Sequence, residues 1–92
     1  MIIRVMGEGQ YRVDSALFDT LNTIDNRIVE DVQKGNQQEY ERSLAELIGC
    51  IQREGQRIAD TELVESDIIV PPADMTLAEA RDVFKGTGIF EG

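Results

Sequence analysis

The stretch that decides the architecture is DSALFDTLNTIDNRIVEDVQKGNQQEYERSLAELIGCIQREG, residues 14–55. In its first half Leu17, Leu21, Ile24, Ile28 and Val32 recur at steps of three and four. At 3.6 residues per turn, that spacing lines them along one face of a helix. Tyr40, Leu44, Leu47, Ile48 and Ile51 do the same in the second half. Between the stripes, Lys34-Gly35-Asn36 supplies a cationic last turn, a glycine able to take the left-handed C-terminal conformation, and a new N-cap with Glu39 as its capping-box partner. So short a connection makes the two helices antiparallel neighbours.

Working outward, the runs 2–6 and 10–13 flank Gly7-Glu8-Gly9, which predicts a β-hairpin. With Glu8 at the tip, Val5 faces Tyr11 and Ile3 faces Val13 on one side, and Arg4 faces Arg12 on the other. Val13 precedes the N-cap Asp14, and Phe18 at the fourth helical position can close a hydrophobic staple with it. Phe18 and Val29 form a second strip on helix one, so that helix is expected to touch both helix two and the sheet.

In helix two Gly49 costs on the order of 1 kcal/mol relative to alanine, and Ala45 lies one turn before it. The pair either lets helix one or the sheet pack closely, or receives a partner helix.

Past Gly55 the polar segment 56–65 is expected to cross the surface, anchored by Ile58 and Leu63-Val64. Ile68-Ile69-Val70, halted by Pro71-Pro72, reads as a strand added to the hairpin. Thr76 and Glu79 form a capping box that opens a short third helix with Leu77, Ala80, Val83 and Phe84. The expected fold class is therefore α+β: a small β-sheet, made of the N-terminal hairpin plus a third strand, packed on a long antiparallel two-helix hairpin with a short C-terminal helix. Residues 1–85 form a single domain in this reading, and 86–92 a flexible glycine-rich tail. That tail carries Ile89 and Phe90, which either dock on the core or wait for a partner.

Composition narrows the function classes. Eighteen acidic against nine basic residues leave a net charge of −9, which repels nucleic-acid phosphates and anionic lipid head groups. The longest apolar run is far short of the about 20 residues needed to cross a bilayer. The single cysteine, Cys50, has no partner for an internal bridge, and no signal-peptide pattern opens the chain. The expected location is the cytoplasm, with any membrane link running through a partner.

Candidate reaction chemistry is sparse. There is no histidine, the commonest general base and metal ligand. Cys50 lies off the main stripe of helix two and reads as a structural thiol. Gly7-Glu8-Gly9 lacks the third glycine and the following helix of a dinucleotide fingerprint, and Lys85-Gly86-Thr87-Gly88 lacks the order of a phosphate-binding loop. Asp25, Glu30, Asp31, Glu39, Glu41 and Glu46 are assigned to solvated helix surfaces. No catalytic residue, metal site or cofactor is expected. Opposed Arg4 and Arg12 repel each other and call for acidic neighbours, from this chain, from an acidic partner or from an anionic ligand.

The order Gly7-Glu8-Gly9-Gln10-Tyr11, a polar-faced helix pair, then Ser66-Asp67-Ile68-Ile69-Val70-Pro71-Pro72 before a capped helix resembles the PspA-associated domain family, PspAA. The likeness runs from Met1 to about Phe84. It implies a small protein encoded beside homologues of phage shock protein A, coiled-coil proteins that assemble on stressed membranes. The implied role is that of a non-enzymatic adaptor in the envelope-stress system, acting by protein contacts, with self-association open as well. A small-molecule anion sensor using Arg4 and Arg12 is the alternative. Candidate contact residues are Arg4, Arg12, Ala45, Gly49, Ile89 and Phe90.

Overall fold

A computed structural model describes residues 1–84 and 88–90. Strand β1 (Ile2–Val5) turns into β2 (Gly9–Arg12), and a single 3-10 turn (Ser15–Leu17) leads into helix α1 (Phe18–Lys34). Helix α2 (Gln37–Glu54), two short strands, β3 (Gln56–Arg57) and β4 (Ile68–Val70), and helix α3 (Leu77–Val83) follow. The α+β class is as expected, and the sheet gains a fourth strand, β3, inside the segment assigned to a surface crossing. The strand order is β3-β2-β1-β4, with β4 parallel to β1 and the other pairs antiparallel.

Local chemistry explains the helix pair. Gly35 takes φ 68°, and the N–H groups of Gly35 and Asn36 return to the carbonyls of Val32 and Asp31, the paired bonds of a Schellman end. Asn36 then caps α2 by accepting from the Glu39 N–H at 3.3 Å. The reciprocal half of the expected box is absent, because the Asn36 N–H is already committed to Asp31. The two stripes meet as foreseen: Leu21, Ile24, Ile28 and Val32 bury against Tyr40, Leu44, Leu47, Ile48 and Ile51 in one core. Two polar links cross the seam, Ser43 Oγ to Asp31 Oδ2 at 2.8 Å and Arg27 to Glu46 at 2.7 Å.

The hairpin keeps its faces but not its register. Glu8 N–H donates to the Val5 carbonyl at 2.9 Å, and Gly7 occupies φ 85°, so the turn centres on Gly7 rather than on Glu8. Ile3 therefore pairs with Tyr11, and Arg4 with Gln10. A shift of two residues leaves every side chain on its original face. Ile3, Val5, Tyr11, Val13 and Val70 are buried accordingly.

Helix α1 packs against α2, as expected, and against α3 as well, and on its second strip the Phe18 ring stacks edge-on against Phe90 with centroids 6.0 Å apart. Helix α3 is held by the full Thr76–Glu79 box. It is also tied to α2 through Tyr40, whose phenol donates to the Met75 carbonyl at 2.7 Å. Of the two readings of Ala45 and Gly49, close packing of helix one or the sheet is corrected: Ala45 is exposed, and a Cβ on Gly49 would meet nothing within 4 Å. Close approach occurs instead at Gly55, where a Cβ would lie 2.6 Å from the Ile51 carbonyl and 3.1 Å from Val13.

Candidate interaction surfaces

Of the residues singled out in the sequence, Arg4 and Arg12 share the outer face of the sheet but are not a pair. Arg12 stands opposite Ile2, and the two arginines line different hollows. Arg4 lies with Asp60 and Glu62 beside a hollow of about 270 Å³, and Arg12 with Asp14 and Glu54. Carboxylates of the same chain thus line both surroundings, and among the described residues neither arginine makes an ion pair.

Ile89 and Phe90 take the docked alternative. Phe90 is 1% exposed, Ile89 is half-buried, and the Phe90 N–H donates to Asp25 Oδ2 at 2.7 Å. The rest of the segment 86–92, apart from Gly88, lies outside the described residues. Gly88 sits directly on the Asp25 carboxylate, in space that a Cβ would have to share with it.

Asp25 is the residue that sequence reasoning placed wrongly. It was assigned to a solvated surface and is fully buried. The available signal was its position seven residues after Phe18 and four before Val29, on the second apolar strip of α1. Cys50, expected off the stripe, is buried too.

The segment 58–67 covers the outer face of the sheet. Ile58 is buried and anchors it as expected, with its N–H on the Gln10 carbonyl at 2.9 Å. Leu63 was expected to be a second anchor and is instead 98% exposed. The anchoring is done by Gln10, a buried side chain whose Nε2 donates to the Val64 carbonyl at 3.0 Å and to Ser66 Oγ at 2.8 Å.

Two groups have displaced ionisation. Burial, with the nearby charges of Glu79 and Glu41, pushes the Tyr40 phenol up to about 12, so it stays a neutral hydrogen-bond donor. Hydrogen bonds from the Thr76 backbone and hydroxyl hold Glu79 below the usual carboxylate range. Neither feature resembles a poised acid or base, and both belong to the fastening of α3. Among the described residues no group of three or more His, Cys, Asp or Glu side chains could hold a metal ion, and no helix is long and apolar enough to cross a membrane.

The protein is thus a small α+β domain, a four-stranded mixed sheet combined with a helical hairpin and a short closing helix. It belongs to the PspA-associated protein family, PspAA, whose family model matches residues 1–92. The family takes its name from association with PspA. No curated protein and no solved structure gives a significant match to the chain.

Proposed function

We propose that this protein is a non-enzymatic adaptor or regulator of a PspA-type membrane-stress response, acting by direct contact with a PspA-like coiled-coil protein. The observation that carries this reading is the family match over the whole chain. A net charge of −9 supports it by disfavouring nucleic acid and anionic lipid as direct ligands, which leaves proteins as the favoured class of partner. In this reading the chain works in the cytoplasm and reaches the membrane only through its partner. The test is titration calorimetry of the full chain against the PspA homologue encoded in the same genome, with size-exclusion chromatography of the mixture. Saturable heat and co-elution are expected; separate elution with no heat at tens of micromolar, about 10 to 100 µM, would remove the proposal.

A further inference from the structure

Residues 63–70 show a burial pattern that their sequence does not announce. Leu63, Glu65, Asp67 and Ile69 are exposed, whereas Val64, Ser66 and Ile68 are half-buried and Val70 is buried. Every second side chain thus faces out, as along an extended strand. The inward side of this rail is fastened at short intervals. Gln10 holds Val64 and Ser66, the Asp67 N–H donates to the Ile2 carbonyl at 2.8 Å, and the Ile2 N–H donates to Asp67 Oδ2 at 2.8 Å. Ile68–Val70 is then β4, at the open edge of the sheet.

What faces out is a strip with an apolar side chain at each end and Glu65 and Asp67 between them, Asp67 turning one carboxylate oxygen, Oδ2, back to the Ile2 N–H. Leu63 is 98% and Ile69 57% exposed. Single exposed aliphatic residues are ordinary on protein surfaces. Two of them bracketing acids, on backbone fixed by a buried amide and a strand pairing, make a preorganised contact that costs little ordering on binding. The two ends are six steps apart along the chain, so they stand no more than about 20 Å from each other. On a partner helix that span corresponds to roughly 13 residues.

We propose that the strip Leu63-Glu65-Asp67-Ile69 is the docking surface for a basic amphipathic helix of a protein partner. The helix would seat apolar side chains on Leu63 and Ile69 and set Lys or Arg against Glu65 and Asp67. Charge selects this occupant: a second copy of the chain would bring the same acids and a net charge of −9 against the strip. This inference rests on the reading of the chain as a PspA-binding adaptor, and it names the surface that makes the contact.

The experiment measures the affinity of the full chain for the PspA homologue of the same genome. The wild type is compared with the pair Leu63→Ser and Ile69→Thr, with Glu65→Lys, and with Gln38→Glu on the exposed side of α2. Thermal melts establish that each variant is folded, and Thr at 69 retains the β-branching that suits a strand. The expected result is a loss of roughly tenfold or more for the Leu63→Ser and Ile69→Thr pair. Glu65→Lys should weaken binding at low salt, with the difference shrinking near about 0.5 M salt, and Gln38→Glu should bind as the wild type does. Wild-type affinity in the folded double variant overturns the docking surface and leaves the adaptor reading standing. A wild-type chain that does not bind PspA overturns both.

Discussion

The backbone N–H of Phe90 is held by the carboxylate of Asp25, 65 positions earlier, across 2.7 Å of buried space. A buried N–H that loses its acceptor costs about 1 to 3 kcal/mol. Asp25→Ala should therefore lower the melting temperature by roughly 5 to 20 °C in a domain of this size. Gly88→Ala pushes a methyl group into the same carboxylate and should destabilise through the same bond. Combining the two should cost clearly less than their sum, since the second change finds the bond already broken. Additive losses in denaturant melts would show that the contacts act separately.

Phe90 fills core space against Phe18, so Phe90→Ala should cost about 3 to 5 kcal/mol. Chemical denaturation of the full chain reads this directly. A loss under about 1 kcal/mol, below the usual cost of vacating a buried aromatic site, would mean that the ring leaves its seat readily in solution.

Tyr40 gives a pH prediction with a definite sign. Its folded value of about 12 lies above the ordinary phenol value of 10.0. Its contribution is fully present below pH 10 and is lost as pH rises toward 12, because the unfolded chain gives up the phenolic proton first. The loss is at most about 3 kcal/mol. Tyr40→Phe should cost about 1 kcal/mol at neutral pH and flatten the stability profile between pH 10 and 12. Equal slopes for wild type and variant across that window would contradict the assignment.

The two glycines at the far half of α2 should respond in opposite directions. Gly49→Ala adds a methyl group to open space inside a helix and should stabilise by up to about 1 kcal/mol. Gly55→Ala forces a Cβ against the Ile51 carbonyl and Val13 and should destabilise. Melting both variants beside the wild type decides it, and a shared sign would mean that the close approach has been misplaced.

That contrast shows where sequence reasoning reached its limit. Features set by neighbours within a few residues were legible: both helical stripes, the Gly35 terminus, the Thr76–Glu79 box, the strand at Ile68–Val70 and the faces of the hairpin. Its register was not, because Gly7 and Gly9 both have positive φ and either count of turn residues keeps Ile3 and Val5 inside. The spacing of Asp25 from Phe18 and Val29 put it on a packed side of α1, but the backbone N–H that makes an acid tolerable there arrives 65 residues later. Leu63 was misassigned for the same reason. Gln10 takes the anchoring role that the hydrophobicity of Leu63 suggested, and that link spans more than fifty residues. Family membership was legible as a likeness of the turn and strand motifs, since residue types alone mark no reaction centre.

The parallel pairing of β1 with β4 sets a timetable for assembly. Helices α1 and α2 join through a turn of two residues, whereas Ile3 must find Ile68 across most of the chain. Loop-closure entropy makes such a distant encounter the slow one, so the helical hairpin is expected to organise the transition state and the sheet to close after it. In stopped-flow kinetics Leu44→Ala should then slow refolding, whereas Val70→Ala should chiefly speed unfolding. The reverse pattern would put sheet closure first. With this order the hairpin is the early nucleus, and the edge strand that carries Ile69 is the part that leaves first when the molecule opens.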